Sequence, residues 1–328
     1  MLGRPVPRSD WFFALVILGV CLAVLWSGKT RYDEWRDYQR ELGKRAAAGT
    51  AHEVRTYIEE IHHRVGLLAS IEADTLRRLA SNPKQEALKK KLEEVTSRHF
   101  PDYFAISLAA PSGESLFDDF DGLVGDVCQR DIQGFGQGRH DYTPFIHPHA
   151  EVYHFDTMVR WEAGGDQGIF FISFRPTTLA RLLRDGQPHG YELMLLRRDV
   201  PGLIEVTADG PRVAIKRNFR LTAAELAQAS ALVPVTGTQW DLVALPDPAQ
   251  AAQARERIEM ETLLTLGGVL GISGVGAFFL RRERRRRDAA EQSLLSERNF
   301  VGAVLDAADA LVLAVGDDGK IVRVNRAF

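Results

Sequence analysis

The chain holds 328 residues, with 41 Lys and Arg against 44 Asp and Glu, a formal net charge of −3 and 45% hydrophobic residues. So long a chain exceeds what one core usually serves, and so balanced a charge excludes nucleic-acid binding driven by the overall field. Its two cysteines, Cys21 and Cys128, exclude a disulfide-stapled scaffold, so any folded part rests on an ordinary core.

Two uncharged apolar runs, residues 11–28 and 262–280, enclose a mostly polar middle. At the helical rise, 18 or 19 residues span roughly 27–29 Å, close to the ~30 Å hydrocarbon thickness of a bilayer. Trp11 and Trp26 mark the borders of the first run, where indoles favour the lipid interface. A cleaved secretion signal fits less well, because its apolar stretch is ~7–15 residues and ends at a small-residue site. The second run carries Gly267, Gly268, Gly271, Gly274 and Gly276, which suit a helix in lipid better than one in water. Six arginines among residues 281–287 follow it and mark a cytoplasmic end facing anionic headgroups. The expected topology is a multi-pass protein of the cell inner membrane. Residues 1–10 lie inside, 11–28 and 262–280 cross, 29–261 lie outside, and 281–299 form a basic junction and helix inside.

Helical spacing continues past the first run. Val54, Ile58, Ile61, Val65 and Leu68 repeat at alternating fours and threes, a seam that either packs on a sister chain or lies on its own domain. Leu76, Leu79 and the stretch 89–91 extend as one further helix that Pro101 ends. The period then changes to two: residues 104–108, a turn at Pro111-Ser112-Gly113-Glu114, and 115–117. A helical patch spans 122–135, where Cys128 shares a face with Val124 and Ile132 and reads as a small buried hydrophobe. Residues 152–162 form the longest strand pattern, with Tyr153, Phe155, Val159 and Trp161 on one face and His154, Asp156, Met158 and Arg160 on the other. A turn at 163–168 leads to a strand at 169–175. A short helix with Leu179, Leu182 and Leu183 follows, then a hairpin of 191–197 with 203–207, and a last strand at 238–245.

Long helices, an antiparallel sheet and a helix returning to the membrane, over roughly residues 30–258, resemble the Cache family of extracytoplasmic sensor domains. The resemblance implies an α+β fold with a PAS-like sheet and a small-ligand pocket on one face.

The unusual constellation in this segment is His147, His149, His154 and Asp156 within ten residues, with Tyr153 between them. Imidazoles and a carboxylate so close could bind a divalent ion, hold a carboxylate or amine ligand, or sense pH. Arg175, at a strand end, could pair a ligand carboxylate bidentately. His147, His149, Tyr153, His154, Asp156 and Arg175 are therefore the expected ligand-binding residues, with none assigned to a metal and no cofactor named. No phosphate loop, nucleophile elbow or zinc-protease motif occurs, so no catalytic residue is assigned.

At the inner end, Leu294, Val301, Leu305 and Ala308 keep a coiled-coil spacing that suits a homodimer. Leu311-Val312-Leu313-Ala314-Val315, a Gly316-Asp317-Asp318-Gly319 turn, Lys320-Ile321-Val322-Arg323-Val324 and the step Asn325 to Phe328 then strongly resemble the opening of a PAS domain. The match covers residues 300–328, about a quarter of a ~100-residue domain, and a two-strand hairpin alone cannot bury its apolar face. The expectation is a truncated PAS domain in a longer protein. Together these readings predict a transmembrane signal-transduction receptor that senses an extracytoplasmic small molecule. The resemblance implies an output in cyclic-di-GMP turnover (GGDEF or EAL type), with a sensor histidine kinase or a membrane-tethered metal- or solute-binding protein as alternatives. Lipid and a small molecule are its expected partners, and nucleic acid is not.

Overall fold

The computed structural model describes residues 8–117, 125–138, 142–148, 152–307, 313–316 and 319–324. In chain order these form α1 (Arg8–Ile71), α2 (Ala73–Ser81), α3 (Glu86–His99), β1 (Tyr103–Ala109), α4 (Asp126–Gly136), β2 (Phe155–Ala163), β3 (Asp166–Phe174) and α5 (Thr177–Gly186). There follow β4 (Tyr191–Arg197), β5 (Ile204–Thr207), β6 (Gly210–Pro211), α6 (Ala223–Gln228), β7 (Ala231–Pro234), β8 (Trp240–Pro246), α7 (Pro248–Ala307), β9 (Leu313–Val315) and β10 (Ile321–Val324). The chain divides into two compact units, Tyr32–Glu256 and the pair Met1–Arg31 with Arg257–Phe328.

The unit Tyr32–Glu256 mixes helices with two antiparallel sheets, a three-stranded one ordered β1-β3-β2 and a five-stranded one ordered β6-β5-β4-β8-β7. The β2–β3 hairpin runs in register from Phe155 opposite Phe174 to Ala163 opposite Asp166. Gly164 and Gly165 join its strands at φ +61° and +87°, the doubly positive turn that matches strand twist and that glycine adopts most readily. The alternation read for 152–162 is present. Phe155, Val159 and Trp161 enter the main core, whereas Met158 packs on the opposite side with Cys128, Ile132, Ile169 and Phe171.

The core also settles the helical seam. Val54, Ile58, Ile61, Val65 and Leu68 are buried in the main cluster of their own unit, beneath residues of β1, β2 and β3. They are not available to a sister chain, because the sheet already covers the apolar stripe. The helix expected after them is two helices, since the Pro83 ring removes a backbone donor at the Asn82-Pro83 break between α2 and α3. Residues 115–117 make only the bridge from Ser115 to Ala109, not a strand. Aromatic rings join the sheets: Phe155 stacks on Phe174 at 5.5 Å and meets the edge of Trp240 at 6.0 Å.

In the other unit, α1 up to Arg31 and α7 from Arg257 approach closely at Gly28, where an added Cβ would lie 2.5 Å from Thr262 Oγ1. Arg31 reaches Glu261 at 3.3 Å. Both helices are long and apolar enough to cross a membrane, with 18-residue windows of mean hydropathy 2.3 and 2.0 that are only 6% and 0% buried. The strands β9 and β10 pair antiparallel, and Gly319, at φ +74°, closes the turn by donating its N–H to Gly316 O at 2.9 Å. The expected Asn325–Phe328 step lies outside the described residues.

Candidate functional site

Three of the expected site residues converge, and a fourth that was expected only to pack joins them. His154, immediately before β2, and Asp156, its second residue, share the side facing α4 because alternate residues of extended chain share a face. His147 reaches them from the segment 142–148. Its backbone exchanges hydrogen bonds with His154, at 2.7 Å and 3.5 Å. From α4, Cys128 points its thiol into the same space and is 2% exposed. Cys128 Sγ lies 3.1 Å from His147 Nδ1 and 3.4 Å from His154 Nε2. Asp156 Oδ2 is 3.3 Å from His147 Nδ1, and Asp156 Oδ1 is 3.7 Å from His154 Nε2. All four inward donor atoms lie within 4.8 Å of one another, so this set could hold a metal ion.

A surrounding layer orients each of these groups. Val152 O, 3.0 Å from His154 Nδ1, can only accept, so Nδ1 carries the proton and Nε2 turns its lone pair inward. His147 Nε2 lies 3.3 Å from both Tyr142 Oη and Asp131 Oδ2. Ser173 donates its hydroxyl to Asp156 Oδ1 at 2.7 Å. Asp156 Oδ2 is buried without a hydrogen-bond donor among the described residues.

Burial dominates the electrostatics here. Loss of hydration pushes the Asp156 carboxyl up to about 7, against the lowering hydrogen bonds from Ser173 and Cys128. Burial drives the Cys128 thiol well above its ordinary value, with Asp156 adding to the rise. It also holds His147 down at about 3, aided by the like charges that His154 and Arg197 would present. His147 is therefore a neutral imidazole, and its approach to Asp156 is not an ion pair.

The segment carrying His147 is anchored from the second sheet. Glu205, on β5 and fully buried, accepts from Ile146 N at 3.0 Å and Trp240 Nε1 at 2.6 Å. Gln239 donates its backbone N–H to Pro144 O at 3.0 Å. Arg197 lies over the Phe145 ring at 3.8 Å, and that ring stacks on His147 at 4.2 Å. A cleft of about 620 Å³ opens on Tyr142, Phe135, Met158 and Arg160.

The remaining expected residues stand apart. Tyr153 lies under the Arg212 guanidinium at 5.6 Å, on the other face of the strand. Arg175 donates to Tyr103 O at 2.7 Å and covers Phe104, which is in ring contact with His154. His149 lies outside the described residues. Cys128, Asp131, Tyr142 and Glu205 are the residues that sequence reasoning missed. A larger cleft of about 860 Å³ near Tyr191 and Gln250 contains Arg217, but Glu192 and Glu225 already neutralise that cation.

No family model matches the chain, and no curated protein matches it. Solved structures similar to it include the ligand-binding domain of the Pseudomonas fluorescens chemoreceptor CtaA in complex with L-isoleucine. That likeness has 16% identity and a TM-score of 0.43 and covers 69% of this chain and 99% of that one. The ligand-binding domain of Mlp24 with asparagine matches at 16% identity and TM-score 0.44 over 67% and 98% of the two chains. A domain assigned to the sensory box/GGDEF family, from Vibrio parahaemolyticus, matches at 13% and 0.44 over 63% and 96%. Identities and TM-scores this low carry no argument about what this chain binds.

Proposed function

We propose that this chain is a transmembrane signal-transduction receptor. Its unit Tyr32–Glu256 lies outside the cytoplasm and takes a small solute as input, and the chain beyond residue 280 carries the response inward. One observation carries the reading: the apolar runs of α1 and α7 are almost entirely unburied. Trp26 is 72% and Ile272 78% exposed, which water would penalise and lipid would not. That exposure favours lipid over the interior of a soluble core, and the arginines after residue 280 support a second crossing with its end inside. Both termini in the cytoplasm are proposed on the same charge asymmetry, and an inner membrane is proposed with them.

In this reading a solute that binds one arrangement of the outer unit better than another shifts the balance between two arrangements of the helices. The β9–β10 hairpin is proposed as the opening of a PAS domain, on the resemblance of its residues. Cyclic-di-GMP turnover is proposed as the output beyond it, and a histidine kinase is the alternative. Association of two copies is proposed through the helix after residue 290. The heptad seam near Ile58 has no part in it, because its own sheet covers it.

Protease added to intact spheroplasts tests the arrangement. It should cut within 32–256 while an epitope placed after residue 287 survives until the membrane is opened. Survival of the middle segment in intact spheroplasts would refute it.

A further inference from the structure

We propose that Cys128, His147, His154 and Asp156 form a binding site for one divalent transition-metal ion of the zinc class. The first reason is a count of hydrogens. His154 turns an unprotonated Nε2 toward Cys128 Sγ, at 3.4 Å, because Nδ1 is committed to Val152 O. His147 turns Nδ1 inward while its outer nitrogen faces Tyr142 and Asp131. Asp156 Oδ2 faces the same point and has no donor among the described residues. Against these lone pairs the cluster offers the thiol hydrogen and at most one carboxyl hydrogen. Acceptors that outnumber the donors in a dry space call for a cation.

Geometry gives the second reason. A tetrahedral site with bonds of ~2.0–2.3 Å has ligand-to-ligand edges of roughly 3.3–3.8 Å. The Cys128 Sγ–His147 Nδ1, Cys128 Sγ–His154 Nε2 and His147 Nδ1–Asp156 Oδ2 separations are 3.1, 3.4 and 3.3 Å, and all four donor atoms lie within 4.8 Å of one another. Small adjustments of side chains already in place would seat the ion. A mixed sulfur, nitrogen and oxygen set suits zinc and its neighbours, and it disfavours calcium and magnesium, which take oxygen ligands.

Charge is the third reason. On binding, the thiol and any carboxyl proton leave to solvent, and the metal–sulfur bond forms in place of S–H. One thiolate, one carboxylate and two neutral imidazoles then balance a divalent ion, which removes the penalty of a net charge among buried groups. The outer layer of Val152, Tyr142, Asp131 and Ser173 holds three ligands in the orientation that coordination requires, as outer partners do in built metal sites. With four protein ligands the site is closed, so its role is to fix α4 and the segment 142–148 onto β2, not catalysis. Binding rests on the fold of this unit alone and is independent of the receptor reading.

The full chain should be purified in detergent with a histidine-free tag, stripped with chelator and titrated with Co²⁺, in a Cys21→Ser background that leaves Cys128 as its one thiol. The expected result is one equivalent bound per chain, with a thiolate-to-cobalt charge-transfer band and the intense visible absorption of four-coordinate cobalt, both displaced by Zn²⁺. His154→Ala should abolish the spectrum, and Asp131→Asn should weaken binding by about 10–100-fold without abolishing it. Absence of stoichiometric binding, or binding without a charge-transfer band, would overturn the proposal even if every variant failed to fold.

Discussion

Cys128 Sγ lies 3.1 Å from His147 Nδ1, and the His147 ring stacks at 4.2 Å on Phe145, which in turn carries the Arg197 guanidinium. One line of contacts therefore runs from α4, through the segment 142–148, to the end of β4 in the second sheet. A change at the cluster has a physical route into the five-stranded sheet because its packed neighbours cannot deform independently.

Metal removal is the first consequence. If the ion binds only the folded unit, saturation at about 100 times the dissociation constant adds about 2.7 kcal/mol of stability. Thermal unfolding followed by tryptophan fluorescence should show a midpoint that chelator lowers and Zn²⁺ restores. Cys128→Ser should be insensitive to both.

Glu205 is the buried carboxylate that organises this region. It accepts from Trp240 and from Ile146, and it lies 3.3 Å from both Arg197 and Arg212. Glu205→Ala would leave two donors and two cations without their common partner, at a cost of about 3–5 kcal/mol in chemical denaturation. It should also weaken metal binding, because Ile146 adjoins His147. Burial, the largest influence, holds this carboxyl above its ordinary value. Its contribution to stability is thus full below the unfolded carboxyl value of about 4.3 and is lost as pH rises through the folded value. Glu205→Gln keeps an acceptor for Trp240 and should remove that component from the pH profile.

Phe155 and Trp240 meet where the sheets join, and both are fully buried. Phe155→Ala should cost about 3–5 kcal/mol through lost burial and the cavity left behind. Trp26→Ala, at an exposed apolar position, should leave the unfolding of unit Tyr32–Glu256 unchanged.

The close approach at Gly28 gives a covalent test of the apolar pair. A Cβ at position 28 would lie 3.2 Å from Thr262 Cβ, near the ~3.5–4.5 Å that disulfides span. Gly28→Cys with Thr262→Cys, in a Cys21→Ser background, should form an intramolecular crosslink on oxidation, visible as a mobility shift. Gly19→Cys with Thr262→Cys serves as the uncrosslinked control.

What the sequence made legible was period and punctuation. Alternation along 152–162 correctly separated Phe155, Val159 and Trp161 from His154, Asp156 and Met158, because side-chain direction in a strand is a local property. The cluster itself was half visible: His147, His154 and Asp156 are near neighbours in the chain, whereas Cys128 is brought in by α4 across 19 residues. A thiol on an apolar helix face looks the same whether it packs against Ile132 or faces two imidazoles. Glu205 and Trp240 were equally hidden, since a buried carboxylate and its indole partner lie 35 residues apart. Local signals were also passed over. Pro83 divides α2 from α3, and Thr222 with Glu225 forms a capping box that starts α6. The seam of Val54 to Leu68 was ambiguous for a physical reason: the same apolar stripe serves a partner helix or a sheet of its own chain.

Paired reporter fusions test the central claim most directly. One junction belongs in the exposed Gly164-Gly165 turn and the other after residue 290, each carrying alkaline phosphatase or a cytoplasmically fluorescent protein. The account predicts phosphatase activity only from the first junction and fluorescence only from the second. The same reporter active at both would contradict it.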